Sequence, residues 1–173
     1  NTTMANNCDY VLQVTALNKE AIERFYKIMK YEDNEYFLYR VFAANPSCDD
    51  GWVEKADDFY TAEFWGDVAW SPSPWVNDEP NPNEYIKTGA HYSNLQEICK
   101  ALNIAVEVWA KECGNCFQEH ITVNNHGELI DHETVEWEDE WGDEETGEWH
   151  EETGGFDEYG DFYLPTEVFE KSY

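Results

Sequence analysis

Two cysteines and three histidines in the second half of the chain have side chains that bind zinc. Cys113 and Cys116 have the spacing of half a zinc knuckle, and His120, His126 and His132 follow them. A structural zinc site needs four ligands, but the sequence holds no second Cys-x-x-Cys pair. A hairpin around His126 would also point the histidines apart. We therefore expect no metal and no other cofactor, and we interpret the cysteine pair as two thiols in a turn.

Carboxylates offer a second kind of chemistry, the binding of calcium through their oxygens. The run from Asp139 to Glu148 is rich in acid but lacks the alternating Asp spacing and terminal Glu of a calcium-binding loop. The sequence also contains no Gly-x-Ser-x-Gly, no phosphate-binding Gly-Lys-Ser/Thr loop and no His-Glu-x-x-His. The motifs therefore predict weak, non-specific cation binding and a protein that is not an enzyme.

The acid is concentrated in the last third of the chain. The 173 residues include 38 Asp and Glu against 10 Lys and Arg, which gives a formal net charge of −28. Of these acids, 20 lie between Lys111 and Lys171, where there is no Lys or Arg. A small domain needs a net charge of only about 2–8 for solubility, and further charge of one sign destabilises the compact state. A halophile-type surface would spread the acid evenly, so we expect this charge to serve a cationic partner.

The spacing of these acids approaches that of phosphates in DNA. A strand rises about 3.3 Å per residue, and nearly every second or third residue of the segment is acidic. Duplex DNA carries one charge per about 1.7 Å of its axis. Two neighbouring acidic strands, or a strand beside a loop, would therefore come close to the charge density of DNA. Such a surface would enter a groove built for phosphates and would repel nucleic acid and anionic membrane.

Aromatic residues alternate with the acids of the C-terminal segment. Blocks of like charge are usually disordered tails, in which large apolar rings would pack poorly. The aromatic residues here are Trp137, Trp141, Trp149, Phe156, Tyr159, Phe162 and Tyr163. We expect a segment that is ordered, or becomes ordered on binding, with turns and irregular loops at its glycines.

The first half of the chain predicts strands around one helix. Residues 10–15 form a β-branched run typical of a strand, and apolar residues then recur at helical spacing from an Asn18 cap onward. Further strands are predicted over 36–42 and 59–70. Residues 71–85 hold four of the six prolines, which predicts a loop.

The second half predicts a helix, a strand and a hairpin. Ser93 or Asn94 is expected to cap the helix, and residues 104–109 alternate as in a strand. Strands over 117–123 and 128–137 flank Asn124-Asn125-His126-Gly127, a hairpin signal with Gly available for positive φ.

This β-α-β-β-α-β order, followed by a hairpin, predicts an α+β fold. It matches the ferredoxin-like, or split βαβ, arrangement of an antiparallel sheet with two helices on one face. We place this domain at residues 5–137. Residues 138–173 form an acidic, irregular extension packed on the domain or continuous with it.

Three short stretches are similar to segments of a known family. They are Asn6-Asn7-Cys8-Asp9, then Gly66-Asp67-Val68-Ala69-Trp70-Ser71, and Glu112–His120 with its Gly-x-x-Phe-Gln-Glu-His. With these motifs the chain resembles the YubB-type ferredoxin-like domain family of phage and plasmid proteins over about residues 5–137. The resemblance implies a ferredoxin-like fold and an origin on a mobile element, and it implies no catalytic residue. The chain departs from the family at Cys113 and Cys116, where small residues or Pro are expected, and in its acidic extension.

The cysteine count and the hydropathy indicate the compartment. Five cysteines, an odd number, argue for thiols in a reducing environment. The sequence has no apolar run of about 18 residues and no basic start followed by an apolar stretch. We expect a cytoplasmic protein without membrane contact, located in the host cytoplasm if a phage encodes it.

These observations favour an inhibitor that mimics DNA. We expect a phage-type anti-defence protein that occupies the basic groove of a nucleic-acid-binding host protein, such as a CRISPR effector or a restriction enzyme, and that binds no nucleic acid itself. The expected contact residues are Glu133, Glu136, Glu138, Asp139, Glu140, Trp141, Asp143, Glu144, Glu145, Glu148, Glu151 and Glu152.

Two other interpretations remain open. Trp65, Trp70 and Trp75 flank the proline-rich stretch and are either core residues or the contact of a non-catalytic binding module, because Trp is enriched in binding hot spots. In that module the acid serves solubility alone. The third interpretation is a small enzyme or metal protein.

Overall fold

The computed structural model describes residues 6–47, 53–138, 141–142, 149–150, 153–154, 162–163 and 165–170. This part of the chain is a mixed α/β structure with a mostly antiparallel sheet and four helices, which confirms the predicted α+β class. Its strands are β1 (Asn7–Ala16), β2 (Tyr36–Phe37), β3 (Val41–Pro46), β4 (Val53–Ala56), β5 (Phe59–Ala69), β6 (Asn81–Tyr85), β7 (His91–Tyr92), β8 (Ile104–Glu112), β9 (Phe117–Val123), β10 (Leu129–Glu138), β11 (Trp141–Gly142), β12 (Trp149–His150) and β13 (Thr153–Gly154). Its helices are α1 (Lys19–Met29), α2 (Pro74–Asn77), α3 (Leu95–Leu102) and α4 (Pro165–Val168).

The main sheet has eight strands in the described part of the chain. Seven of them lie in the order β13-β10-β9-β8-β1-β5-β3, and β4 also pairs with β5. Every pair of neighbours is antiparallel. The sheet is therefore larger than a six-stranded arrangement of four strands and a hairpin, because β4 and β13 add to it.

One face of this sheet is buried under two helices. Alternate residues of β1, among them Cys8, Tyr10 and Leu12, point into the core, as the period of two in a strand requires. Helix α1 packs on β1, β3 and β5, and α3 packs on β8 and β9. Each fully buried apolar side chain stabilises the fold by about 1.5–3 kcal/mol, so this two-layer core opposes the repulsion among the acids.

Both helices begin where the sequence predicts. The side chain of Asn18 accepts a hydrogen bond from the backbone N–H of Ala21 at 2.9 Å, and that of Asn94 accepts one from Glu97 at 2.8 Å. Each bond satisfies a backbone donor that has no partner inside the helix. Asn103 ends α3 with a φ of 54°, a left-handed conformation that Asn tolerates.

A second sheet of three strands corrects two of the predictions. It has the order β2-β7-β6, and its β2–β7 pair is parallel. The single strand predicted over 36–42 is divided into β2 and β3, because the chain turns between them and Arg40 has a φ of 27°. The loop predicted over 71–85 contains α2 and β6, since Pro74 stands at the start of a helix, where its missing N–H costs nothing.

Tyr163, Val168 and Phe169 pack on the face of the main sheet that lies opposite α1 and α3. Val168 and Phe169 form a small apolar cluster with Phe59 and Ala105. The side chain of Asn125 in the β9–β10 turn bonds the backbone of Glu170 twice, each time at 2.7 Å. Residues 168–170 are thus fastened to the sheet near β8 and the β9–β10 turn.

Among the described residues, no helix combines the length and the apolar character needed to cross a membrane.

Gly66 in β5 is required by the close approach of β3. A Cβ atom at this position would overlap the carbonyl group of Ala43, which also accepts a hydrogen bond from the Tyr10 hydroxyl at 2.7 Å. The pairing of β3 with β5 is irregular here, between Val41 and Ala43, as is common where a strand contains Gly.

We predict that Gly66→Ala destabilises the protein by about 1–3 kcal/mol, because backbone atoms on both strands must move to admit a methyl group. Urea unfolding followed by tryptophan fluorescence measures the change. Ala44→Gly is the matched control, since Ala44 is the partner of Gly66 across the ladder and its replacement costs only about 0.5–1 kcal/mol. Equal stability of Gly66→Ala and the parent protein would contradict the argument.

Candidate protein-binding surface

The β9–β10 hairpin brings acidic residues toward one edge of the main sheet. Its turn is closed by the Asn124 side chain, which accepts hydrogen bonds from the N–H groups of His126 at 3.0 Å and Glu128 at 2.9 Å. Gly127 occupies the positive-φ position of the turn with a φ of 78°. The predicted hairpin is therefore confirmed, and it orients the two faces of β10.

Two of the predicted contact residues have described side chains. Glu133 and Glu136 are exposed on β10, opposite His120 and Phe117 of β9. Because successive residues of a strand point to opposite faces, Glu133 lies on the same face as Asp131, while Glu136 lies on the other.

The remaining predicted contact residues divide into two groups. The backbone of Glu138 lies in β10, and the backbone of Trp141 lies in β11. The others lie outside the described residues: Asp139, Glu140, Asp143, Glu144, Glu145, Glu148, Glu151 and Glu152.

Part of the acidic extension continues the backbone pairing of the sheet. Trp137 and Glu138 of β10 pair with Gly154 and Thr153 of β13. The strands β11 and β12 pair with each other in a separate two-stranded ladder. The boundary predicted at residue 138 thus falls at the end of a strand, and the extension is joined to the domain through β10.

Basic and acidic residues are separated across the molecule. Lys19, Arg24, Lys27 and Lys30, four of the 10 basic residues, lie on α1 or at its cap. By contrast, the sequence has no Lys or Arg between Lys111 and Lys171. The face covered by α1 therefore carries Lys and Arg side chains, while the β9–β10 hairpin carries none.

A buried histidine of the hairpin joins three neighbouring strands, β8, β9 and β10. The Nε2 atom of His120 lies 2.6 Å from Oε2 of Glu107 on β8, and its Nδ1 atom lies 2.6 Å from Oδ2 of Asp131 on β10. His120 and Glu107 are only 3% and 2% exposed, so both depend on these partners. An ionised carboxylate only accepts hydrogen bonds, so carboxylates at both ring nitrogens favour the doubly protonated, positively charged imidazole.

The surroundings of His120 favour that charged form. Burial lowers the pKa of His120. Its hydrogen bonds to Glu107 and Asp131 raise the pKa by more than burial lowers it, so the pKa lies above its usual value. The ring stacks on Trp109 with the centroids 4.0 Å apart, and Tyr163 packs edge-on against its other side at 5.5 Å. The backbone N–H of Tyr163 also donates to Oε1 of Glu107 at 2.6 Å.

Glu119 forms a second buried cluster, on the opposite face of the hairpin. Its Oε2 atom accepts hydrogen bonds from the Ser73 hydroxyl and from Nε2 of His132, the latter at 2.6 Å. Its Oε1 atom is buried and has no hydrogen-bond partner in the described part of the chain. The cluster ties the segment before α2 to β9 and β10, and burial together with the Glu119 charge raises the pKa of Cys8.

The two candidate zinc-binding cysteines lie in the turn between β8 and β9. Cys113 is exposed and Cys116 is half-buried with a φ of 56°. The Glu112 carboxylate holds the turn by accepting hydrogen bonds from the N–H groups of Gly114 at 2.8 Å and Asn115 at 2.6 Å. The prediction of a cysteine pair in a turn agrees with this geometry.

The three candidate histidines each face a different carboxylate. His120 contacts Glu107 and Asp131, whereas His126 lies 3.4 Å from Glu170 and His132 contacts Glu119. Among the residues that the structure describes, no three His, Cys, Asp or Glu side chains are placed to hold one metal ion.

Sequence reasoning missed the pairing of Glu107 with His120. Glu107 lies within the otherwise apolar run Ile104-Ala105-Val106-Glu107-Val108, and a charge in a buried strand is costly unless it is paired. The single acid in an apolar strand indicates that Glu107 needs a partner. It does not show that the partner is His120, 13 residues away.

No family model, no curated protein and no solved structure matches the chain.

We predict that His120→Gln lowers the free energy of unfolding by about 3–5 kcal/mol, because removal of one partner leaves the Glu107 charge buried and uncompensated. His126→Gln is the matched control. This histidine is more than a third exposed and faces an exposed Glu170, so we expect a loss of no more than about 1 kcal/mol. Urea unfolding measures the stability of both variants. Equal losses of unfolding free energy would show that the buried cluster stabilises the fold no more than the exposed pair does.

The same cluster predicts a pH dependence. The pKa of His120 is raised in the folded protein above the usual 6.5, so its contribution is complete below that pH and is lost as the pH rises through the folded pKa. We expect the stability difference between the parent and His120→Gln to shrink as the pH is raised from about 6 to 9. Urea titrations at several pH values measure this difference, and one that grows with pH would reverse the assigned sign.

Proposed function

We propose that the protein is a non-catalytic inhibitor that presents a DNA-like acidic surface to a basic, nucleic-acid-binding protein. The observation that carries the proposal is the position of the acid. Glu133 and Glu136 project from opposite faces of one strand, in a segment without Lys or Arg, and that strand is anchored by the contacts of Asp131 with His120 and of His132 with Glu119. The partner class proposed is a CRISPR effector, a restriction enzyme or a similar host protein.

Electrostatics supports association with a basic groove rather than with nucleic acid. Neighbouring residues on one face of a strand are about 6.6 Å apart, twice the rise per residue, and DNA has one charge per about 3.4 Å along each strand. Carboxylates on two faces of β10 therefore support a charge density of the same order, and the sequence of the extension adds further acids. A net charge of −28 would speed the approach of a cationic partner and make binding sensitive to salt.

We also propose that the four central strands and two helices form a ferredoxin-like core. The order β8-β1-β5-β3 with antiparallel pairing supports this assignment, since α1 leads into β3 and α3 leads into β8. On this proposal β4, β9, β10 and β13 are additions to the core. The motif resemblance to the YubB-type family over residues 5–137 supports the same core and an origin on a mobile element.

We predict that a variant with six neutralised acids loses its partner but keeps its fold. The changes are Glu133→Gln, Glu136→Gln, Glu138→Gln, Asp139→Asn, Glu140→Gln and Asp143→Asn. The tagged protein is incubated at low salt with lysate of a bacterium that carries defence systems, and retained proteins are identified by mass spectrometry. We expect the parent to retain a nucleic-acid-binding protein that heparin or duplex DNA displaces, and the variant to retain at least tenfold less of it.

A control variant with the same loss of charge separates position from total charge. It carries Glu20→Gln, Glu32→Gln, Glu54→Gln, Asp57→Asn, Asp58→Asn and Glu79→Gln, all at exposed sites outside the hairpin. We expect it to retain the partner about as well as the parent does. The mimic proposal would be wrong if the variant with six neutralised hairpin and extension acids still retained the partner. It would also be wrong if heparin and duplex DNA failed to displace the partner from the parent protein.

A second candidate function follows from exposed aromatic side chains. Trp65 on β5 is 52% exposed, Trp70 after β5 is 43% exposed, and Phe42 on the neighbouring β3 is 49% exposed. Trp75, the third tryptophan of the predicted contact, is fully buried, where its Nε1–H donates to the carbonyl oxygen of Tyr39 at 2.9 Å. Trp75 therefore belongs to the core, and the binding-module alternative rests on Trp65 and Trp70.

We predict that this alternative and the mimic respond to different substitutions. If the aromatic patch is the contact, Trp65→Ala combined with Trp70→Ala abolishes capture of the partner while the six-acid variant retains it. If the protein is a DNA mimic, the result is reversed. Circular dichroism of both variants serves as the folding control, because all the altered side chains of the aromatic patch are exposed.

A further inference from the structure

We propose that a cavity beside the small sheet is a binding site for a cationic side chain, arginine or lysine, of a basic protein partner. The cavity has a volume of about 460 Å³, which is within the range of ligand pockets in proteins. It lies apart from the acidic hairpin. This inference rests on the proposed function, because that proposal makes the partner a basic protein, and the basic protein would supply the side chain.

Four aromatic rings line the cavity, those of Tyr31, Phe37, Tyr39 and Tyr92. Tyr31 and Phe37 pack edge to face with centroids 5.9 Å apart, and Phe37 packs against Tyr92 in the same way at 5.4 Å. The face of an aromatic ring is negative and attracts a cation that lies within about 6 Å of its centroid. Rings held at steep angles to one another therefore offer faces in more than one direction.

The hydroxyl groups hold these rings in place. The Tyr31 hydroxyl donates to the carbonyl oxygen of Leu38 at 2.8 Å and accepts from the N–H of Val41 at 2.7 Å. The Tyr92 hydroxyl donates to Oδ2 of Asp78. Burial and the Asp78 charge raise the pKa of Tyr92, so its hydroxyl stays protonated as a donor. Both rings are thus set before any ligand arrives, which lowers the entropic cost of binding.

The charged residues of the lining select a cation over an anion. Asp78 and Glu84 contribute two carboxylates, and Arg40 contributes one positive charge. The guanidinium carbon of Arg40 lies 5.7 Å from the centroid of Phe42, a ring outside the lining. An anionic ligand would meet two carboxylates against one guanidinium, among four aromatic rings. A cation with an apolar stem would place the stem against the rings and the charge near Asp78 and Glu84.

The test uses blocked single amino acids as probes. N-acetyl-arginine methylamide is titrated into ¹⁵N-labelled protein, and the amide shifts of Phe37 and Tyr92 are followed by NMR. We expect saturable binding with a dissociation constant of about 1 mM, as suits a ligand of this size. N-acetyl-citrulline methylamide has the same shape without the charge, and we expect it to bind at least tenfold more weakly. Equal binding of the two probes, or no shift with either, would overturn the proposal.

Variants of the lining locate the site. Asp78→Asn combined with Glu84→Gln should weaken binding of the arginine probe about tenfold, because the two substitutions remove two partly exposed charge pairs with the guanidinium. Tyr39→Leu should weaken it several-fold, because it removes a ring face but leaves the backbone carbonyl that Trp75 uses. Glu32→Gln combined with Glu79→Gln, which removes the same charge outside the lining, should leave the affinity unchanged. If the control weakens binding of the arginine probe as much as the lining variants do, the effect is one of general charge and the proposed site is rejected.

The outcome is separable from that of the proposed function. If the arginine probe fails to bind while a polyanion-sensitive partner is still captured, this inference fails and the mimic stands. If the probe binds with the expected dependence on the lining residues but no such partner is captured, the site stands as a cation-binding pocket and the mimic fails.

Discussion

The cost of taking a carboxylate out of water is the physical constraint on which the rest of this structure depends. In a chain with 38 Asp and Glu, each carboxylate that is buried needs a hydrogen-bond donor or a counter-charge. Glu107 has His120 and the N–H of Tyr163, and Asp33 has Arg24 and two backbone N–H groups. These donors lower the pKa of Asp33 although burial alone would raise it. The buried acids therefore become links between elements.

The strongest of these links are placed around the strand that carries the exposed acids. The His120 cluster joins β8, β9 and β10, and the Glu119 cluster joins the same hairpin to the segment before α2. A flexible acidic tail would lose entropy when it entered a basic groove. A strand held on both faces by buried contacts loses less, so an anchored acidic hairpin fits the role of a preorganised binding surface.

The two proposed contact regions act over different distances. On the mimic proposal, the excess of carboxylates would act over about a Debye length, near 8 Å at physiological salt, and would guide a partner before contact. On the pocket proposal, the cavity lined by Tyr31, Phe37, Tyr39 and Tyr92 would act only at contact. A surface that attracts from a distance and a pocket that receives one side chain would together combine rapid association with selectivity.

The sequence by itself determined the features that arise from neighbouring residues. Asn18 and Asn94 are helix caps because their side chains reach backbone donors three residues away, and the Asn-Asn-His-Gly turn forms because Gly127 accepts a positive φ. The β-branched run at 10–15, the strand-like run at 59–70, the alternation at 104–109 and the turn signal at 124–127 predicted β1, β5, β8 and the β9–β10 hairpin, and with them the α+β class. The acidic character of the β10 strand followed from composition alone.

Tertiary structure decided the features that depend on residues far apart in the chain. The division of 36–42 into two strands, the burial of Trp75 against Tyr39, and the helix and strand within 71–85 all require partners from other elements. The same holds for Glu107, His120 and Asp131, which meet only because β8, β9 and β10 are neighbours in one register. Local pattern shows which residues are apolar or charged. The partner of a buried charge is decided by strand order and register, because desolvation penalises the charge until the fold supplies that partner.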